Sequence, residues 1–224
     1  LEQAKIFEKK HKKIDAVICM ATDVPLTVAT VAEGLKIPGI PVSAAELVSD
    51  KVLMKDCFKQ HDLPIPWYQE IASVAELKEL SLSRDNELIL KPVDSRGARG
   101  VLKLTDDVDL EWAFNVAQGY SPSSRVMVEE FLQGPQISTE SLVVEGRVYT
   151  IGFSDRNYEY LERYAPHVIE NGGDLPSFLP DDAQTKIEEA VSKTAMALNI
   201  VNGVIKGDMV LSANEPYIIE VAAR

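Results

Sequence analysis

Cysteine is scarce in this sequence and long apolar runs are absent, and each of these features excludes a class of protein. Two cysteines in 224 residues are too few for a disulfide-stabilised scaffold, and Cys19 and Cys57 match no metal-binding spacing. They suit a reducing compartment, which predicts a cytoplasmic location. No apolar run approaches the roughly eighteen residues of a membrane span, and no signal peptide is visible.

Positive charge is also in short supply. The 23 Lys and Arg residues are outnumbered by 35 Asp and Glu, which gives a formal net charge of −12. This balance argues against a nucleic-acid surface and against an anionic membrane partner. Any phosphate site must therefore be locally basic. With 46% hydrophobic and 26% charged residues, the chain has an ordinary globular composition and room for one large domain or two small ones.

The last twenty residues contain two carboxylates whose spacing suggests a common site. Residues 204–211 and 217–223 have strand composition and flank the turn-prone Ser-Ala-Asn-Glu-Pro, which predicts a β-hairpin with a five-residue loop. If Leu211 pairs with Tyr217, Asp208 lies opposite Glu220. Facing carboxylates repel, so we expect a cation between them. Mg²⁺ is the natural candidate, because it prefers one or two carboxylates together with substrate phosphates.

Alternation along the second strand of this hairpin predicts which side chains share a face. Glu220, Ala222 and Arg224 fall on one face, and Ile219 and Val221 fall on the other. Two acids and an arginine on one surface favour phosphoryl transfer. A surface hairpin with ordinary solvated charges is the alternative.

The first third of the chain has a strand–helix pattern followed by a proline-rich stop. Residues 15–20 (DAVICM) predict a buried parallel strand and residues 25–35 a helix, which together suggest the tail of a Rossmann-like layer. A further helix, capped by Ser49 or Asp50, ends at residues 62–66 (DLPIP), where we place a domain boundary. The residues predicted to share one face of this helix are Leu53, Met54, Cys57, Phe58 and His61.

Beyond residue 66 the predicted strands and helices do not alternate strictly, which indicates an α+β fold. Strands are predicted at residues 87–91, 101–104, 126–132, 136–144 and 147–153, and helices near 74–80, 107–118 and 182–198. A long polar loop is expected over residues 154–180. Its section from 157 to 178 is expected to face an acceptor substrate, with His167 more typical of a structural than of a catalytic histidine.

A basic, glycine-containing loop follows a predicted strand in the segment 88–101. Lys91 ends that strand, and glycines let backbone N–H groups approach phosphate oxygens while lysine and arginine supply cations. The loop residues concerned are Ser95, Arg96, Gly97, Arg99 and Gly100. No Gly-Lys-Ser/Thr opens a helix here, so this is not a Walker A motif. Lys51, just inside a helix N-terminus, adds another cation. A basic surface turn and a solvated lysine are the alternatives.

Residues 128–132 (VEEFL) form an extended segment leading into Gln-Gly-Pro. Its backbone is suited to binding an adenine edge, with Phe131 and Leu132 in apolar contact; an edge strand is the commoner explanation. In the next strand Gln136, Ser138 and Glu140 share one face, so Glu140 is in position to reach a ribose or a metal.

Together these segments resemble the ATP-grasp superfamily, in the branch of carbamoyl-phosphate synthetase large chains, biotin carboxylase and L-amino-acid ligases. The resemblance runs from about residue 15 to 224. Its specificity lies in an ordered set of motifs: Ser-Asp-Lys at 49–51, Leu-Pro-Ile-Pro at 63–66, Lys-Pro with the glycine loop at 91–100, Glu-Glu-Phe-Leu at 129–132, and Asp208 followed by Glu-Val-Ala-Ala-Arg at 220–224.

The resemblance implies an ATP-grasp fold of two α+β subdomains preceded by part of a Rossmann-like domain. We expect residues 1–66 to be the end of that preceding domain and residues 67–224 to be the ATP-grasp domain. Within it, residues 67–130 would form a small lid subdomain and 131–224 a larger one, truncated at its C-terminus. The chain opens without Met and stops inside a predicted strand, so we expect a piece of a longer protein.

The resemblance also implies roles for the residues singled out above. Lys51 and Lys91 would contact phosphates or adenine, and the loop 95–100 would close over the phosphates. The adenine hinge would comprise Glu129, Glu130, Phe131 and Leu132, with Glu140 nearby. Asp208 and Glu220 would bind Mg²⁺ or Mn²⁺, and Arg224 would act with Lys91 on the reacting groups. One departure concerns Ala222, where many members carry Asn, so the metal shell would be thinner or completed by water.

The implied reaction is the ATP-dependent joining of a carboxylate to an amine through an acyl phosphate, with ADP and phosphate as products. The implied partners are small-molecule carboxylate and amine substrates, without nucleic acid or membrane, and a homodimer is compatible with the pattern. Two alternatives stay open: a bicarbonate-activating, carboxylase-type enzyme of the same fold, and a nucleotide-binding module whose catalysis has decayed, which Ala222 makes conceivable.

Overall fold

A computed structural model describes residues 1–19 and 24–224 and contains two antiparallel sheets with helices packed against them. The helices are α1 (Glu2–Lys10), α2 (Pro25–Leu35), α3 (Val42–Ser49), α4 (Lys51–Gln60), α5 (Val74–Ser83), α6 (Leu110–Gly119), α7 (Leu161–Tyr164) and α8 (Asp181–Ala197). The strands are β1 (Tyr68–Ile71), β2 (Leu88–Pro92), β3 (Leu102–Leu104), β4 (Val126–Glu130), β5 (Gln136–Val144), β6 (Arg147–Asn157), β7 (Gly172–Asp174), β8 (Gly203–Ser212) and β9 (Glu215–Ala223). In this part of the chain no helix is both long and apolar enough to span a membrane.

The smaller sheet has the strand order β1-β4-β2-β3. Every residue of β2 is buried, which suits a strand with neighbours on both sides and helices on one face. Helices α5 and α6 supply Leu77, Ala113 and Phe114 to its core. The result is a rigid support for the end of β2, where Lys91 is located.

The larger sheet has the order β7-β6-β5-β8-β9. Along β5, alternate residues from Ile137 to Val143 are buried and the residues between them are not, the pattern of a strand with one face against a core. That core contains Ile187 of α8 and also Met54 and Phe58 of α4. Helices before the first strand of the small sheet therefore pack with the large sheet. The domain and subdomain boundaries expected from the sequence stay predictions.

The strand expected at residues 15–20 is not found. Residues 15–19 form no strand, Ile18 is 61% exposed, and Met20 lies outside the described residues. The apolar run has strand composition, but a strand needs a neighbour to satisfy its backbone, and the first strand of the described chain begins at Tyr68. The Rossmann-like part of the fold prediction is not confirmed.

The hairpin at the end of the chain places Asp208 opposite Glu220 as predicted, but by a different route. Ser212 pairs with Glu215, so the loop has two residues rather than five. Its two residues, Ala213 and Asn214, have φ of 49° and 65°, the backbone of a type I′ turn.

A β-bulge corrects the register that this shorter loop would otherwise impose. The register shifts between Asp208 and Met209, which leaves Ile219 on β9 without a partner opposite. Ile219 therefore faces the same cavity as Glu220, contrary to strict alternation, because a bulge re-aims side chains. Val221 packs in the core as expected.

Helix α4 begins at Lys51 after the N-cap Asp50, which accepts the N–H groups of Val52 and Leu53. The residues predicted to share one face of α4 are not all buried. Leu53 is 47% exposed, and the buried residues are Lys51, Met54, Lys55 and Phe58, a set one step around the helix from the predicted one. The long loop after residue 154 also contains more structure than predicted, namely the end of β6, α7 and β7.

Candidate active site

A cavity of about 250 Å³ lies between the two sheets. It is lined by the end of β2, the loop after it, the end of β4, and the facing surfaces of β8 and β9. Thirteen of the fifteen predicted site residues line it: Lys51, Lys91, Ser95, Arg96, Gly97, Arg99, Glu129, Glu130, Phe131, Leu132, Asp208, Glu220 and Arg224. Segments far apart in the sequence thus meet at one cavity, and the nucleotide site predicted from them stays a prediction.

The facing carboxylates of β8 and β9 are each paired with a side-chain cation. Asp208 lies 2.6 Å from Lys206 Nζ and 3.1 Å from Arg156 Nη1, and Glu220 lies 3.4 Å from Lys51 Nζ. The expected repulsion between the two acids is therefore offset within the protein. Lys206 and Arg156 were missed by the sequence interpretation. Lys206 was detectable, because it is two residues from Asp208 on a strand and so shares its face.

Lys91 and Glu129 are neighbours at the ends of β2 and β4. Glu129 is 2% exposed and accepts a hydrogen bond from Lys91 through Oε1, while Lys55 Nζ of α4 lies 2.5 Å from its Oε2. Burial alone would raise the pKa of Glu129, but the two ammonium groups hold that pKa below its ordinary value. Burial lowers the pKa of Lys55, against the opposing effect of Glu129.

The basic loop after β2 is anchored at its start to helix α4. Lys51 donates its backbone N–H to Val93 O at 3.0 Å and its Nζ to Ser95 O at 2.7 Å. Arg96, Gly97 and Arg99 are exposed beyond that anchor. Gly100 does not line the cavity, contrary to prediction. It has φ of +75° and packs against Tyr120, whose Cβ would lie 2.8 Å from an added Cβ, so its role is to end the loop.

The predicted adenine hinge lies at the end of a central strand. β4 pairs with β1 on one side and β2 on the other, so the edge-strand explanation is wrong. The N–H of Glu130 donates to Trp67 O at 2.9 Å and that of Phe131 to Glu87 O at 2.8 Å, so these two donors are already used. Phe131 and Leu132 line the cavity and present the apolar surface that was predicted.

Glu140 does not line this cavity, contrary to prediction. It lies 3.1 Å from Arg224 Nη1 and lines a second cavity of about 520 Å³. Gln136, four residues earlier on the same face of β5, lines the first cavity instead. The sequence predicted the correct face of β5 but the wrong position along it, because only the start of β5 borders the first cavity.

Two residues of the segment 157–178 also line the first cavity, Tyr158 and Val168. Burial raises the pKa of Tyr158 to about 12, so its hydroxyl is neutral at physiological pH. His167 packs edge-on against Trp112 at a ring-centroid distance of 6.0 Å, and its residue bridges Leu102 of β3. This contact supports a structural role for His167.

Asp208 and Glu220 are the register-paired carboxylates of β8 and β9 that line this cavity. Within residues 1–19 and 24–224, no group of three or more His, Cys, Asp or Glu is placed to hold a metal. Two carboxylates on one cavity wall fit Mg²⁺, which takes few protein ligands and completes its shell with water and phosphate oxygens. Ala222, which lines the same wall, contributes no donor.

Residues 48–224 match the model of the ATP-grasp domain family. The chain belongs to the ATP-grasp family. The resemblance drawn from the sequence is thereby confirmed, and a structural comparison agrees. The L-amino acid ligase of Bacillus licheniformis superposes with a TM-score of 0.80 at 23% identity over 100% of this chain and 52% of that one, which confirms the ATP-grasp fold.

Among curated ATP-grasp relatives, a D-alanine–D-alanine ligase of Bordetella avium is 31% identical over 198 residues, covering 84% of this chain and 61% of that protein. The alanine–anticapsin ligase of Bacillus subtilis is 28% identical over 219 residues, covering 88% of this chain and 45% of that protein. The chain thus spans less than two thirds of the length of these relatives.

Proposed function

We propose that this ATP-grasp chain supplies the nucleotide site of an ATP-dependent ligase that activates a carboxylate as an acyl phosphate and joins it to an amine. The observation that carries the proposal is the position of Asp208 opposite Glu220, on a cavity that Lys91 and the basic loop also line. Similarity to proteins named D-alanine–D-alanine ligase and alanine–anticapsin ligase supports a carboxylate and an amine as substrates.

In this proposal the adenine lies against Phe131 and Leu132, and Gln136 takes the ribose role first expected of Glu140. Lys51, Lys91 and the loop 95–100 hold the phosphates. Phosphoryl transfer needs little covalent help from a protein, so positioning and charge neutralisation are the main contributions. The lining fits that task, because in the described part of the chain it contains seven Lys and Arg residues against four Asp and Glu.

Asp208 and Glu220 would hold Mg²⁺, or Mn²⁺ in its place. A divalent ion held by these two carboxylates would supply neutralisation of the phosphate charge. The lysines that now pair with the two acids, Lys206 and Lys51, would then be free to turn toward phosphate oxygens. With Ala222 in place of a donor, water would complete the metal shell.

The second cavity is the proposed site of the carboxylate and the amine. It shares Arg156 and Lys206 with the first cavity, so a substrate there lies beside the phosphate end of a nucleotide. Arg224 lines the first cavity and pairs with Glu140 of the second. It is placed to stabilise the negative charge that develops on an acyl phosphate.

The test is ADP release by the full-length protein with ATP and Mg²⁺. Release that depends on an amino-acid mixture supports the ligase, and release that depends on bicarbonate alone supports the carboxylase-type alternative. ATP binding without release under either condition points to a decayed module and contradicts the ligase. The proposal keeps residues 67–130 and 131–224 as the two subdomains, and it places the enzyme in the cytoplasm.

A further inference from the structure

Three charged side chains form a buried cluster at the wall of the proposed nucleotide cavity, and we call Lys55, Lys91 and Glu129 the lysine–glutamate cluster. Their residues are 0%, 6% and 2% exposed. Lys91 and Glu129 line the cavity, whereas Lys55 does not. Lys55 reaches the cluster from α4, across the boundary between the two cores, and its Nζ lies 2.5 Å from Glu129 Oε2.

The cluster carries two positive charges and one negative charge. Buried charges are costly unless they are paired, and here both carboxylate oxygens of Glu129 are occupied, one by each lysine. One positive charge is therefore not matched within the cluster. Lys91 has three N–H donors and its partner Glu129 uses one of them, so the excess charge is directed to the cavity.

We propose that Lys55 is a positioning residue for the polyphosphate of ATP: it neutralises Glu129 from behind and thereby leaves the charge of Lys91 available to an anionic ligand. This role rests on the proposed ATP site. Without Lys55, Lys91 and Glu129 would form a neutral pair, and the cavity would lose one positive charge although no residue in contact with ATP had changed.

The test compares two ligands, ATP and adenosine, by calorimetry on the full-length protein and its Lys55→Met variant. We expect ATP binding to weaken about tenfold or more, which is the effect of losing one charge–charge interaction at a partly buried site. Adenosine binding should change by less than about twofold. Lys59→Met is the matched control, because Lys59 is exposed on the same helix one turn later, and it should bind both ligands as the wild type does.

A second variant separates charge from packing. The double variant Lys55→Met with Glu129→Gln restores the net charge of the wild-type cluster, so we expect it to bind ATP at least about threefold more tightly than Lys55→Met does. If Lys55→Met alone does not fold, the double variant decides: recovery supports the role, and a folded double variant with weak ATP binding overturns it.

Two other outcomes contradict the proposal, and they are distinguishable. Equal weakening of ATP and adenosine, or wild-type ATP affinity in Lys55→Met, overturns the role of Lys55 and leaves the proposed function intact. A wild-type protein that binds no ATP overturns the proposed function, and the role of Lys55 falls with it.

Discussion

Replacing Glu220 by Gln separates the structural and catalytic contributions of the facing acids. Its side chain is 37% exposed and pairs with Lys51 at 3.4 Å. An ion pair this exposed contributes at most about 1 kcal/mol to the free energy of unfolding, so the variant should fold. The lost carboxylate would remove half of the proposed metal ligation, and we expect ADP formation to fall by about a hundredfold or more, roughly 3 kcal/mol of transition-state stabilisation.

The assay is coupled ADP release by the full-length protein with saturating substrates, together with urea unfolding of each variant. The control is Glu215→Gln, since Glu215 lies on the same strand and pairs with Lys186 at 3.0 Å without lining the cavity. It should leave ADP formation unchanged. Wild-type turnover in Glu220→Gln would refute the metal assignment. An unfolded variant would show that the ion pair contributes more than about 1 kcal/mol to the free energy of unfolding.

Three further predictions concern stability. Gly134→Ala should lower the free energy of unfolding by about 3 kcal/mol or more in urea titrations, because Gly134 has φ of +145° and an added Cβ would lie 2.1 Å from Leu211 O; a smaller loss would mean that the backbone relaxes. Replacing Ala213-Asn214 by Asn-Gly should raise that free energy by about 1 kcal/mol, since both positions have positive φ and Asn-Gly is preferred in type I′ turns. Because the pKa of Glu129 is lowered in the folded state, its carboxylate stabilises the fold fully above the ordinary pKa of 4.5. This contribution to the free energy of unfolding is lost as the pH falls through the folded-state pKa. Urea unfolding between pH 7 and pH 3 should therefore show a steeper acid loss in the wild type than in Glu129→Gln, and equal slopes would contradict the pKa assignment.

The hairpin shows how far the sequence predicts this site. The facing of Asp208 and Glu220 was predicted from a five-residue loop, and the structure has a two-residue loop with a bulge. The shorter loop shifts the pairing by one residue and the bulge shifts it back. The sequence analysis missed both features, and their effects on the register cancel. Composition does not reveal the bulge, because nothing in the residue types around Ile219 differs from an ordinary strand.

The sequence analysis missed the buried Lys55 and predicted a strand at residues 15–20 that is not found. Both errors have the same physical reason. A lysine is almost never fully buried unless it is paired, and its partner Glu129 is 74 residues away, beyond any local pattern. Residues 15–20 have the composition of a buried strand, but residues 15–19 pair with none of the described strands. In both cases the presence or absence of a partner far along the chain decides whether the lysine is buried or the strand forms. Local residue propensities carry no information about such a partner.

The distribution of charge is compatible with the polyphosphate of the proposed function, although the chain as a whole is acidic. The chain carries −12, yet Lys and Arg outnumber Asp and Glu around the cavity, and the buried Lys55 adds a further positive charge behind its wall. An extended polyanion such as nucleic acid needs a basic surface along its length, which the net charge disfavours. The basic side chains found here instead converge on one cavity. Net charge therefore disfavours an extended polyanion, whereas the proposed polyphosphate site depends on the position of a few cations.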